Sequence, residues 1–162
     1  MPKDIQTPAT AQSIFFTVAL INRGDDLLLR EIERLRQAVR ITRAQRPFVI
    51  EAWVVLPDHL HAIWTLPPGD HDYATRWRLI KTRFSLALTK RPLDTNDNAG
   101  CKRAIWQPGV SPHRVTGSDD HTAHLRFCRT DPVKHGLVDD PDDWPYSSFS
   151  KPRQLNGAES SA

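Results

Sequence analysis

The stretch FVIEAWVVLPDHLHAIWT, residues 48–65, decides the fold. Its first half is apolar and rich in Val, Ile and Trp, the composition of a buried strand. Pro57-Asp58 supplies a tight turn, because proline presets φ and aspartate bonds nearby backbone. Residues 59–65 return as an antiparallel partner, so the segment reads as a hairpin. Alternate side chains on a strand share a face. His59 and His61 therefore project together, and Leu60 packs on the opposite side.

Upstream, Ile14-Phe15-Phe16-Thr17-Val18-Ala19-Leu20 is a short apolar run that reads as another strand, closed by Asn22-Arg23-Gly24-Asp25. Leu28, Ile32, Leu35 and Val39 recur at helical spacing, predicting a helix over 27–45 that Pro47 ends. Downstream of the hairpin, Trp77, Ile80, Phe84 and Leu88 mark one face of a second helix over 74–89. Residues 91–100 read as a loop, and Ala104-Ile105-Trp106-Gln107 as a fourth strand. Ser118 can cap a third helix over 119–130 that stops before Pro132. Strand, helix, strand, strand, helix, strand, helix is the order of an α+β fold. It predicts a ferredoxin-like split βαβ with an antiparallel sheet plus a C-terminal helix. The expected domain spans 13–150, between a flexible arm (1–12) and a disordered tail (151–162).

At 162 residues the chain suits one domain with a sizeable core. No apolar run reaches bilayer length, and Met1-Pro2-Lys3-Asp4-Ile5-Gln6 lacks a signal-peptide core, which predicts a cytoplasmic protein. Cys101 and Cys128 form neither a disulfide framework nor a CxxC pair, and read as reduced thiols. The net charge of +3 is unevenly spread. Arg76, Arg78, Lys81, Arg83, Lys90 and Arg91 crowd one segment, with Lys102 and Arg103 following, whereas 119–143 leans acidic. Such a stripe is either a polyanion-facing surface or a solvated helix face. Arg76, Arg78, Lys81 and Arg83 are the candidate nucleic-acid contacts on such a surface; Arg34, Arg40 and Arg43 read as a solvated face. Trp53, Trp64 and Trp77 read as core, and His71, His121, His124 and His135 carry no pattern that assigns them a role.

Two imidazoles side by side can hold one divalent ion such as Mn, Zn or Ni, or serve as ordinary hydrogen-bonding histidines. The context is more specific. Trp53-Val54-Val55-Leu56-Pro57-Asp58 followed by His59-Leu60-His61-Ala62-Ile63-Trp64 resembles the HUH endonucleases, in the form carried by REP-associated tyrosine transposases. The resemblance continues in Arg46-Pro47-Phe48, Ile14-Phe15-Phe16-Thr17-Val18, Arg76-Trp77-Arg78-Leu79-Ile80-Lys81 and Ile105-Trp106-Gln107. It extends to Asp131-Pro132-Val133-Lys134-His135-Gly136-Leu137-Val138 and Asp143-Trp144-Pro145-Tyr146-Ser147-Ser148, covering about residues 13–149.

The resemblance implies a divalent metal (Mg or Mn), single-stranded or hairpin DNA as partner, and a monomer or homodimer. It also implies a helix tyrosine that attacks a DNA phosphodiester, with a polar metal ligand four residues later. Those positions hold Phe127 and Asp131 here. Asp131 would join His59 and His61 as metal ligands, whereas Phe127 keeps the ring and lacks the hydroxyl for a covalent phosphoaryl link. Tyr73 and Tyr146 read as packing residues. Ala11-Gln12 stands where the family has glycines. Gly109-Val110-Ser111-Pro112-His113 replaces an Arg-aromatic-Trp-Glu-His stretch, in which His113 alone fits. Three functions stay open: a single-strand DNA transposase using another nucleophile, a catalytically silent DNA-binding module, or a degenerate copy without a role.

Overall fold

The computed structural model describes residues 12–89 and 105–150. In chain order they form β1 (Ser13–Ala19), α1 (Leu27–Arg30), α2 (Ile32–Gln45), β2 (Val49–Val55), β3 (His59–Thr65), α3 (Tyr73–Thr89), β4 (Ser111–Arg114) and α4 (Gly117–Lys134). A 3-10 turn, Pro141–Asp143, follows α4. The sheet order is β2-β3-β1-β4, with antiparallel pairing throughout. β3 lies between β1 and β2, which is the split βαβ arrangement expected from the sequence.

Strand alternation divides the core between the two sheet faces. Phe16, Val18, Leu60, Ala62 and Trp64 turn toward Leu28, Leu35, Trp77, Ile80 and Phe84 of the first three helices. Trp64 stacks on Trp77 with ring centroids 4.4 Å apart. On the other face Phe15, Ala52, Val54 and Ile63 meet Cys128 of α4 and Trp144, whose indole N–H donates to Val55 O at 2.9 Å. Each fully buried large side chain contributes roughly 1.5–3 kcal/mol, so two apolar layers clamp the sheet. β3 lies at their centre, and all its residues but Thr65 are buried.

Four expectations are corrected. Of the strand expected over 104–107, Ala104 lies outside the described residues and 105–107 form no strand: Trp106 makes only an isolated bridge to Leu20, and Pro108-Gly109 breaks the run. The edge strand is Ser111–Arg114, whose four residues are all exposed, so no apolar alternation announces it. Pro112 is tolerated there because an edge strand need not donate on both sides. The helix expected over 27–45 breaks at Glu31 (φ −113°, ψ 33°), and its first turn is tied instead to the hairpin by Leu28 N–H to Pro57 O. The last helix starts at Gly117 with Thr116, not Ser118, at the cap position, and runs through Pro132 to Lys134. Pro132 is buried and its carbonyl accepts from Leu137 N–H, so packing and the downstream turn offset the missing donor.

Of the expected arm only Gln12 is described; the tail lies outside the described residues. No helix among the described residues is long and apolar enough to cross a membrane.

Candidate functional site

β3 carries His59 and His61 on the face that α4 covers, and Asp131 reaches them from the last turns of that helix. His61 Nε2 lies 3.3 Å and His59 Nε2 3.6 Å from Asp131 Oδ2. All three residues are buried. Their outer nitrogens are held from behind. Thr17, opposite His61 in the β1–β3 register, places its hydroxyl 2.9 Å from His61 Nδ1. Asp58 places Oδ1 2.7 Å from His59 Nδ1, and its other oxygen accepts from Gly24 N–H and Arg23 Nε. Such partners select the tautomer that turns Nε2 inward.

The electrostatics match this geometry. Burial alone would raise the Asp131 carboxyl, but the adjoining His59 and His61 imidazoles outweigh it and hold the group below its ordinary value. Burial would lower His59, but Asp131 and Asp58 outweigh that and raise it. Asp131 Oδ2 is nonetheless buried without a hydrogen-bond partner, because the imidazoles approach it without hydrogen-bond geometry.

The structure also brings in His135, which the sequence reading left without a role. Its Nε2 lies 3.5 Å from Asp131 Oδ1, and ligand atoms of His59, Asp131 and His135 all fall within 4.8 Å of one another. The available signal was its spacing: position i+4 from Asp131 puts it on the same helix face. Two to three imidazoles around a buried, unpartnered carboxylate oxygen form a donor set that fits a metal ion.

Phe127 stands one turn before Asp131, its ring edge-on to His61 at 4.9 Å between centroids and 86°. Lys134 Nζ lies over that ring, 4.4 Å from its centroid. Tyr73 is remote from this group, packed on Phe16 across the sheet. Tyr146 packs against Trp144.

Among the candidate DNA contacts, Arg76 is corrected. It is 2% exposed. Its guanidinium donates to both Asp70 oxygens and to the carbonyls of Arg46, Pro47 and Asp72. A fork with five donors saturates those acceptors, so Arg76 ties the β2 entry to α3 instead of facing solvent. Lys81 donates to the carbonyls of Gln107 and Gly109, and Arg83 to Thr42 and Gln45. Arg78 is exposed. Lys90, Arg91, Lys102 and Arg103 lie outside the described residues.

A REP-associated tyrosine transposase of Escherichia coli strain K12 is 43% identical over 137 residues, 85% of this chain and 76% of the relative. The chain belongs to the REP-associated tyrosine transposases. A Haemophilus influenzae relative named for the same family is 37% identical over 139 residues, covering 85% of this chain and 79% of that protein. The solved structure of a REP-associated tyrosine transposase bound to a REP hairpin superposes with a TM-score of 0.76 at 39% identity. The match covers 93% of this chain and 82% of that one. A Deinococcus radiodurans protein at 15% identity and TM-score 0.52 shares the fold alone. No family model matches the chain.

Proposed function

We propose that this REP-associated transposase recognises single-stranded or hairpin DNA, and that His59, His61 and Asp131 hold a divalent ion, Mg or Mn, beside Phe127. The observation that carries the reading is the approach of two inward imidazole nitrogens to one buried, unpartnered carboxylate oxygen. The hairpin bound to the solved relative supports the choice of DNA partner.

A divalent ion in such a site supplies Lewis-acid polarisation of a phosphate oxygen. The chain's own residues do the rest. Thr17 and Asp58 orient the imidazoles, and Asp131 contributes the anionic donor. Phe127 presents an aromatic edge where the resemblance puts a tyrosine, so no phosphoaryl ester forms at that position. Binding without covalent capture at residue 127 follows. Arg78, exposed on α3, is the DNA contact this reading favours among the predicted cations.

Labelled hairpin DNA, incubated with the purified chain and Mn, tests the reading on two gels. A native gel should show a complex preferring hairpin over plain duplex, and a denaturing gel should show no protein–DNA adduct. Equal affinity for plain duplex, or an adduct with the unaltered chain, would overturn it.

A further inference from the structure

α4 carries a second histidine–carboxylate group, nearer its N-terminus. His113 Nε2 lies 2.9 Å from Asp120 Oδ2, and His124 Nδ1 lies 3.0 Å from Asp120 Oδ1. Ligand atoms of the three residues all fall within 4.8 Å of one another. The two imidazoles stack with centroids 4.5 Å apart. Two different elements build the group. The β1–β4 ladder sets His113 opposite Phe15, and spacing of four places Asp120 and His124 on one face of α4. Phe15 packs against both His124, at 4.6 Å, and His61, at 5.4 Å. A single phenyl ring thus separates this group from the His59–His61–Asp131 site.

We propose that His113, Asp120 and His124 form a second divalent-cation site, of the borderline class that takes two imidazoles and one carboxylate, with zinc as the best fit. Three protein ligands leave coordination positions open. The side chains are 48%, 23% and 23% exposed in the order His113, Asp120, His124, so an ion and its waters have access. Ligand bonds of about 2.0–2.1 Å around a tetrahedral ion separate its donors by roughly 3.4 Å. The present separations of 2.9 and 3.0 Å need open only slightly. The Thr116 N–H donates to Asp120 Oδ2 at 2.9 Å and fixes the carboxylate between the two imidazoles. His124 Nδ1 also meets the Asp120 carbonyl at 3.0 Å, and ligation by that nitrogen exchanges this hydrogen bond for the ion.

The site has an electrostatic consequence. His124 and Asp131 are seven residues apart on α4, about 10.5 Å along the axis. Asp120 sets a carboxylate about two turns before Phe127 on α4, which opposes a polyanion. A bound dication offsets that charge and gives the DNA backbone a second positive point on the same helix face.

Metal-stripped protein dialysed against Zn²⁺ alone, with bound ions counted per folded chain, tests the proposal. The unaltered chain should hold about two ions, and His113→Ala and His124→Ala about one each, with native circular dichroism. His59→Ala should lose the other ion and keep the one at His113. His113→Gln, on an exposed edge strand, decides the matter if the α4 variant fails to fold. A stoichiometry unchanged in folded His113→Ala and His113→Gln would overturn the second site and identify a purely hydrogen-bonded cluster. A stoichiometry insensitive to His59→Ala would count against the first site alone, so the two failures are distinct.

Discussion

Asp131 Oδ2 lies 3.3 Å from His61 Nε2, buried, and makes no hydrogen bond. An acceptor left so costs roughly 1–3 kcal/mol unless something meets it. A ligand that binds only the folded chain stabilises it by about 2.7 kcal/mol at a hundredfold excess over Kd. Excess Mn should therefore raise the melting temperature, and a chelator should reverse the gain. In Asp131→Ala most of that shift should vanish. An equal shift in the variant would place the ion elsewhere.

Thr17 acts on the site through His61. Its hydroxyl is 2.9 Å from Nδ1, and Thr17→Val keeps the shape while removing that partner. Loss of such an orienting bond typically weakens metal affinity about 10–100-fold. Calorimetric titration with Mn should show this weakening, alongside an apo melting temperature close to that of the unaltered chain.

Phe127→Tyr restores a hydroxyl on a ring already set against His61. Lys134 Nζ over that ring favours the phenolate, the nucleophilic form. With Mn and hairpin DNA the variant should yield a covalent adduct on a denaturing gel. The contrast with the unaltered chain should span several orders of magnitude in rate, about 10³ or more. Silence from a DNA-bound, metal-loaded Phe127→Tyr would show that the ring lies off the line of attack.

Arg76 and Arg78 differ by two residues and should behave as opposites. Arg76→Ala removes a buried guanidinium whose donors Asp70 and three carbonyls then lose, with an expected loss of about 1–3 kcal/mol in urea unfolding. Arg76→Lys should not rescue it, because an ammonium lacks the planar fork. Arg78→Ala should leave stability within about 0.5 kcal/mol. It should instead reduce the slope of log affinity for DNA against log salt by about 1.

Acid should weaken the same tie. Arg76 holds the Asp70 carboxyl at about 2, below its ordinary 3.8. A depressed carboxylate contributes its stability above the unfolded value and loses it as pH falls through the folded one. Thermal melts of the unaltered chain and Asp70→Asn should differ at neutral pH. The gap should close as pH drops from about 4 to 2, while a constant gap would deny the ion pair its role.

Local pattern carried the parts of this protein that depend on neighbours in the chain. The apolar runs on either side of Pro57-Asp58 specify a hairpin, and a period of two puts His59 and His61 on one face. Helical spacing did the same for Trp77, Ile80 and Phe84, and the family motif around Pro132 marked Asp131 and Phe127. Tertiary structure decided what depends on distant segments. Nothing local shows that Arg76, in a run of cations, is drawn inward by the carbonyls of Arg46 and Pro47 some thirty residues away. The exposed β4 has no apolar period to betray it, because β1 alone holds it in place. His135, and the union of His113 with Asp120 and His124, arise only where α4 crosses the sheet. Periodicity is written in side-chain order, whereas convergence of polar groups is set by packing between elements that the chain order does not make neighbours.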